Sequence, residues 1–286
     1  MSRETSLAPR RVARRRGTDR GSNWGGQGYL FRALLWLLGG LLLFFVVLPL
    51  ARLYTGLQLP DLAQVAFGDG VLASIALSLE AAVISALACG TFGTALAYGL
   101  SRDSFRGKGL VEALVDLPLA VPHSVAGIAL LFVFGRQGAA GQLLAHVGLR
   151  FWGSLAGVVV GMIFVSSPFA VNAARLAFDA VPRELEDIAR TDGANSTQVF
   201  GFITLPLATR GVFTGIILAY ARSLSEFGAV VILAYYPMTA PVKIYDLFLQ
   251  GGLGPSTMAA ALLLTVALAS FLGLRFLNRR RATAPG

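Results

Sequence analysis

Cysteine, histidine and charge are all scarce in this sequence. A single cysteine, Cys89, admits no intrachain disulfide and no cysteine-built zinc site, and two histidines, His123 and His146, do not make a histidine-rich metal site. Charged residues are 14% of the 286, against roughly 25% in a soluble domain. A phosphate-cradling G-x-x-x-x-G-K-[ST] loop is missing as well, since Gly107-Lys108 is followed by Gly109 and has no glycine at the upstream position. Paired carboxylates, a metal cluster and a nucleophile–base arrangement are not visible either. The chain reads as a non-catalytic protein with no cofactor of its own.

What the sequence does have is hydrophobic length. It is 55% hydrophobic, its mean hydropathy is +0.68, and runs of about 20 apolar residues suffice to cross a hydrocarbon core. Six segments stand out. The first is charge-free from Ala33 to Ala51, and the second runs Val71 to Leu100 with Glu80 inside. The third is charge-free from Leu117 to Gly135, and the fourth spans about Phe151 to Ala174. The fifth runs Gly211 to Tyr236, enclosing Arg222 and Glu226, and the sixth about Pro255 to Leu277. The expected fold is an all-α polytopic membrane protein of six transmembrane helices. Pro118, Pro122 and Pro168 should kink the third and fourth of them.

Charge is basic, 24 Lys+Arg against 15 Asp+Glu for a formal +9, and its placement is orienting. Arg10, Arg11, Arg14, Arg15, Arg16 and Arg20 precede the first apolar helix, and Arg279, Arg280 and Arg281 follow the last. Arg102, Arg106 and Lys108 follow the second helix, and Arg183, Arg190 and Arg210 the fourth. The other loops carry only Arg52, then Arg136 and Arg150, then Lys243. The positive-inside rule then puts both termini in the cytoplasm of a plasma (inner) membrane, with anionic lipid rather than nucleic acid as the partner of the basic tail. The apolar run behind that tail is too long for a cleavable signal and reads as a retained anchor.

Glycines Gly153, Gly157 and Gly161, four apart, would share one helix face. They fit either packing within the chain or contact with a second copy. No convincing inverted repeat relates the two halves, which weighs against a self-contained secondary transporter.

The longest polar interval, Asp179 to Arg210, has helical punctuation. Pro182 fits a first helical position, Glu184, Glu186 and Asp187 suit the early turns, and Gly193 fits a stop, which predicts a helix of about eleven residues, roughly 16 Å long. Asn195 with Gln198 fits a capping box for a second short helix closed by Pro206. This helix-turn-helix carries an apolar stripe of Leu185, Ile188 and Ala189, open to a partner protein or to the bundle itself.

The run Asp187-Ile188-Ala189-x-x-x-Gly193, nine residues, Ile203-x-Leu205-Pro206 resembles the cytoplasmic "EAA" signature of permease subunits of binding-protein-dependent ABC importers. All spacings match; Asp187 stands for Glu, and Ile188 for a smaller Ala. The resemblance covers roughly Val71 to Leu277. It implies that Leu185, Glu186, Asp187, Ile188, Ala189, Gly193, Ile203, Leu205 and Pro206 form a coupling element for a separate ATPase subunit, where ATP and Mg are used.

Within that group, Ser225 to Ala229, Ala234 to Pro241, Ile244-Tyr245 and Asp116 to Ser124 are similar to the molybdate/tungstate permeases, with sulfate permeases as near relatives. The resemblance implies an extracytoplasmic oxyanion-binding protein as a further partner, a permease homodimer, and a path for molybdate or tungstate. Ser124, Arg222, Ser225 and Glu226 are candidates to line it. Arg222 and Glu226, four apart, share a helix face, and their pairing fits a functional or a structural role equally. His123 reads as structural. The expected organisation is a basic tail over residues 1–28, expected to lack order, a first transmembrane helix with outer loop over 29–70, a permease core of five helices over 71–278 with its coupling loop at 179–210, and a basic tail over 279–286.

Overall fold

Backbone polar groups in an apolar medium must be satisfied within their own segment, which favours helix wherever the chain has no water to face. In a computed structural model, which describes residues 25–55, 57 and 59–283, every regular element is helical. The arginines from Arg10 to Arg20, with the rest of residues 1–24, and the last three residues lie outside the described part.

Helix α1 (Gly25–Arg52) is 28 residues long, about 42 Å at 1.5 Å per residue. It closes one compact unit at Arg52, and Leu53 opens the other. That second unit begins with α2 (Leu59–Ala63), which runs into a π turn at Gln64–Gly68, and α3 (Val71–Arg102). There follow α4 (Lys108–Ala120), α5 (His123–Phe134), α6 (Ala139–Ala145) and α7 (Leu155–Asp179). Then come α8 (Arg183–Thr191), α9 (Ser196–Val199), a π turn at Phe200–Thr204, and α10 (Leu205–Leu224). The chain ends through α11 (Gly228–Leu233), α12 (Ala240–Gly251) and α13 (Leu253–Thr283).

Among the described residues, five helical runs are long and apolar enough to span: Gly28–Arg52, Val71–Arg102, Leu155–Asp179, Ser196–Leu224 and Leu253–Asn278. The expected third span is not one helix. It is α4 and α5, bent by 114°, and the count reaches six only if that pair is one broken span. Pro122 is the cause: it has no N–H to donate and drives Val121 out of the helical region, to φ −79 and ψ 128. Pro168, by contrast, is absorbed inside α7.

The fifth span also differs from its expectation. It starts earlier, because Pro206 does not close the preceding helix. Pro206 falls in the first turn of α10, where a missing N–H costs little, and the π turn just ahead of it widens the ladder. The span then breaks at Ser225, whose φ −89 and ψ 0 leave the helical region, and the short α11 follows. Residues 240–251, which lie outside the six apolar segments, form α12, with Pro241 in its first turn.

Helices α3, α7 and α10 make the core of the second unit, and small residues let them approach. A Cβ on Gly215 of α10 would sit 2.9 Å from the Ala170 carbonyl oxygen of α7, and one on Gly90 of α3 would meet Ile216 at 2.6 Å. Ala81, Ala82 and Ala86 of α3 pack with Val158 and Met162 of α7 and Tyr220 and Leu224 of α10. A hydroxyl relay sits where the three meet: Ser223 Oγ lies 3.0 Å from Ser85 Oγ and 2.7 Å from Ser166 Oγ, all buried. Interhelical bonds of this kind contribute about 0.6 kcal/mol on average in a bilayer. Of the three spaced glycines, Gly153 lies before α7 with φ +62 and only Gly157 and Gly161 are helical, Gly161 facing Val230 of α11. Gly157 also approaches its neighbours closely, a Cβ there lying 3.2 Å from Ala234 Cβ.

At the far end of α3, Ser78 Oγ accepts the Ala240 N–H at 2.7 Å and so fastens α12. Tyr235 donates its hydroxyl hydrogen to Asp246 Oδ1 at 3.2 Å.

Candidate functional site

Two polar constructions stand out from the apolar helices. The first is the α8–α9 element. Helix α8 is nine residues long rather than eleven, because Pro182 is its N-cap rather than its first turn. It ends as expected: Gly193 has φ +93, its N–H reaches Arg190 O at 3.0 Å, and the Ala194 N–H reaches Ala189 O at 2.9 Å, the paired bonds of a Schellman stop. Asn195 and Gln198 form the predicted capping box, each side chain bonded to the other's backbone N–H at 2.9 Å.

Glu186 fixes the rotation of α8. It is only 1% exposed, and its Oε1 accepts from Arg102 of α3, whose Nη2 is 2.7 Å and Nε 2.8 Å away. The same oxygen accepts from Thr204 Oγ1 at 2.8 Å. One carboxylate therefore ties α8 both to the end of α3 and to the π turn ahead of α10. Arg183 adds a bond to the Ser101 carbonyl at 3.0 Å, and Arg102 one to the Val181 carbonyl at 3.3 Å.

The consequence is that α8 buries one carboxylate and exposes two large apolar side chains. With Glu186 turned inward, Leu185 and Ile188 face outward, as does Glu184, Ile188 at 59% exposure, and Phe202 on the adjoining π turn reaches 80%. Asp187 also faces out, paired only with Arg190 at 3.0 Å. Ala189, Ile203 and Leu205 are half-buried and Pro206 is exposed. Leu205 packs with Phe178 and Val181. The residues expected to form the coupling element thus run from α8 through the π turn into α10, with Glu186 turned inward and Leu185, Asp187 and Ile188 outward.

The second construction is the break after α10. Arg222 Nη2 donates to Glu226 Oε2 at 2.7 Å, and Glu226 Oε1 accepts the Ala229 N–H at 2.8 Å, capping α11. Glu226 is 1% exposed. Ser225 Oγ lies 3.3 Å from Arg222 Nη1 and donates to the Arg222 carbonyl at 3.0 Å. Arg222 Nη2 is also 2.8 Å from Nε2 of His123, the first residue of α5. The same Nη2 is 3.5 Å from His123 Nδ1, which in turn lies 3.9 Å from Glu226 Oε2; arginine has only donors, so a bond to the ring needs a ring nitrogen that accepts.

Arg222, Ser225 and Glu226 are therefore brought together, though Glu226 lies past the end of α10 and meets Arg222 across the break rather than on one helix face, and His123 joins them across 99 residues of sequence. Close backbone approach makes this meeting possible: a Cβ on Gly228 would sit 2.6 Å from His123 Cβ and 3.4 Å from the Ser124 nitrogen. Ser124 is exposed in the first turn of α5, beside the cluster. The Pro122-His123 pair adjoining an apolar run was the available signal for a helix opening at this point. Among the described residues no cluster of His, Cys, Asp and Glu is arranged to hold a metal ion.

Residues 90–283 match the family model described as "Binding-protein-dependent transport system inner membrane component". The molybdate/tungstate transport system permease protein of Pyrococcus furiosus is 40% identical over 249 residues, 86% of this chain and 95% of that one. A probable sulfate transport system permease protein of Chlorokybus atmophyticus is 33% identical over 260 residues, 88% of this chain and 91% of that one. A bacterial alginate ABC transporter, solved in complex with an alginate pentasaccharide-bound periplasmic protein, has a chain of the same fold. It gives a TM-score of 0.72 at 19% identity, covering 92% of this chain and 99% of that one. Helix α8, with Glu186 buried and Leu185 and Ile188 exposed, and the broken, charge-bearing fifth span are thus features of a chain that belongs to the family of binding-protein-dependent transport system inner membrane components, the permease subunits of ABC importers.

Proposed function

We propose that this permease subunit conducts molybdate and tungstate inward. In this reading an extracytoplasmic binding protein delivers the anion and a separate ATPase subunit, which uses ATP and Mg, drives the cycle. The observation that carries the proposal is the Arg222–Glu226–His123 cluster at the break between α10 and α11. A tetrahedral dianion crossing an apolar layer needs donors and a route that is not negative. Arg222 and His123 supply donors, and Ser124 and Ser225 lie beside them. The first turn of α5 starts at the same place, with its N–H groups and positive dipole end directed there. Glu226 already occupies Arg222, so the anion competes for the guanidinium and is held weakly enough to leave, as conduction requires.

The α8 element is the proposed coupling site. Leu185, Ile188 and Phe202 are apolar groups exposed in a polar loop, and burying them in a groove of the ATPase gives α8 a stabilising partner. Glu186 and Arg102 make the rigid link by which such a contact reaches α3 and α10. The loop 179–210 then lies in the cytoplasm together with both termini, in keeping with the loop charges, and the core 71–278 pairs with a second copy to close the path. The permease itself performs no catalysis. Sulfate, an anion of the same shape and charge, is the second reading, favoured by the 33% identical relative.

The coupling half is tested by L185S/I188S. Two exposed apolar anchors are removed without touching the buried Glu186, so co-purification with the ATPase should fall about tenfold or more, with no change in thermal unfolding of the permease alone. Undiminished co-purification contradicts the coupling role. The substrate half is tested by competition of molybdate, tungstate and sulfate on the partner binding protein. Preference for sulfate would shift the assignment to the second reading.

A further inference from the structure

A cavity of about 750 Å³ lies between the end of α5, α6 and the start of α7, one half-helix away from the Arg222 break. Helix α5 separates the two, its 12 residues spanning about 18 Å. The cavity is lined by Arg136, Gln142, His146, Arg150, Trp152 and Ser154 among others. Its charge is one-sided. Between Asp116 and Asp179 the chain has no Asp or Glu, while Arg136, Arg150 and His146 all fall there. Neither Arg136 nor Arg150 meets a carboxylate among the described residues.

The walls are also built. The Arg136 guanidinium carbon stands 4.0 Å from the Trp152 ring centroid, a stacking that orients the planar fork and leaves its edge N–H groups free. Phe134 and Phe151 pack 5.0 Å apart behind it. Ser154 caps α7 and donates to the Phe151 and Arg150 carbonyls, tying down the turn that carries Trp152. Uncompensated cations in a concave, partly apolar wall concentrate anions, and a fixed guanidinium fork matches the oxygen pairs of a tetrahedral oxyanion.

We propose that this cavity binds a tetrahedral oxyanion between Arg136 and Arg150, against Trp152, as a waiting site outside the Arg222 break. The proposal rests on the reading that places the α5–α7 segment on the extracytoplasmic side. The cavity is larger than one such ion, so the ion enters with water and the site discriminates little among oxyanions. Leu143 and Val147 on and after α6, and Phe132 on α5, are strongly exposed, an apolar surface beside the cavity that acyl chains can cover. The oxyanion is therefore either free solute or the phosphate of an anionic lipid.

The full chain, with its ATPase, is placed in phosphatidylcholine nanodiscs and its tryptophan fluorescence titrated with molybdate, sulfate and inorganic phosphate. A saturable response to all three, lost in W152F and weakened about tenfold or more in R136Q/R150Q, supports a site for free oxyanion. If free anions give no response, native mass spectrometry reads retention of phosphatidylglycerol. Retention by the wild type that is lost in R136Q/R150Q supports the headgroup as occupant. A response unchanged by R136Q/R150Q, or no response with equal lipid retention in both proteins, overturns the site. Should the double variant unfold, R150Q, which alters one exposed side chain, replaces it with the same outcomes. Co-purification of the L185S/I188S variant is independent of all these results, so failure here is distinguishable from failure of the coupling role.

Discussion

Replacing Glu186 by alanine is expected to abolish coupling while leaving the membrane core folded. The change leaves the Arg102 guanidinium buried without its counter-charge, and breaking one side of such a buried pair costs about 3–5 kcal/mol. At about 1.4 kcal/mol per factor of ten, ATP-driven uptake falls about a hundredfold or more if α8 alone absorbs the loss. Two companions separate charge from shape. Glu186→Gln keeps an oxygen to accept the Thr204 hydroxyl and should lose less. The double variant E186A/R102M removes the orphaned cation and should recover part of the stability, measured by thermal unfolding, but not the uptake, because the link from α8 to α3 stays cut. Equal uptake in E186A and wild type would mean that the Arg102–Glu186 pair transmits nothing.

Arg222→Gln carries the second large effect. Glu226, 1% exposed, would keep only the Ala229 N–H and the more distant His123 as partners, and the proposed path would lose its fixed cation. Uptake of the anion is expected to fall about a hundredfold, the penalty again being that of an unpaired buried charge. Glu226→Gln behaves differently. The amide oxygen can still cap α11, but Arg222 is freed of its competitor, so the anion binds more tightly and leaves more slowly, lowering both KM and kcat. A purely structural pair would show reduced folded yield in both variants and no such split. The KM-against-kcat comparison therefore decides between a structural and a functional role for the pair.

Much of this architecture is written in hydrophobic length and punctuation. Val71 to Leu100 and Pro255 to Leu277 sit inside α3 and α13, and Gly193 and the Asn195–Gln198 box end and start helices as their chemistry dictates. The breaks were not legible, because an apolar run reads the same whether it is one helix or two. Pro122 marked the first only as a kink, and Ser225 to Phe227 carries no helix breaker at all. The rotation of α8 was hidden for a different reason. Spacing puts Leu185 and Ile188 on one face but does not say that Glu186, alone of the three acidic residues of α8, is the one turned inward. That depends on Arg102, 84 residues away. His123 was missed because its partner Arg222 is 99 residues off, and a lone histidine beside a proline has no local signature of function.

The two constructions are joined by one helical run. Thr204, which receives α8 through Glu186, opens α10, and Arg222 and Ser223 close it. In the proposed cycle, a displacement of α8 on the ATPase would move one end of a run whose other end carries the charged break and, through Ser223, the relay to Ser85 and Ser166. This is the mechanical core of the proposed importer: a rigid rod between a docking helix and an anion-facing cation.

The most direct test is molybdate uptake into proteoliposomes holding this permease with its ATPase, the binding protein supplied outside. ATP-dependent uptake that is competed by tungstate and absent without the ATPase is the predicted result. Uptake that proceeds without the ATPase under an ion gradient, or no uptake of any oxyanion in the complete assembly, would contradict it.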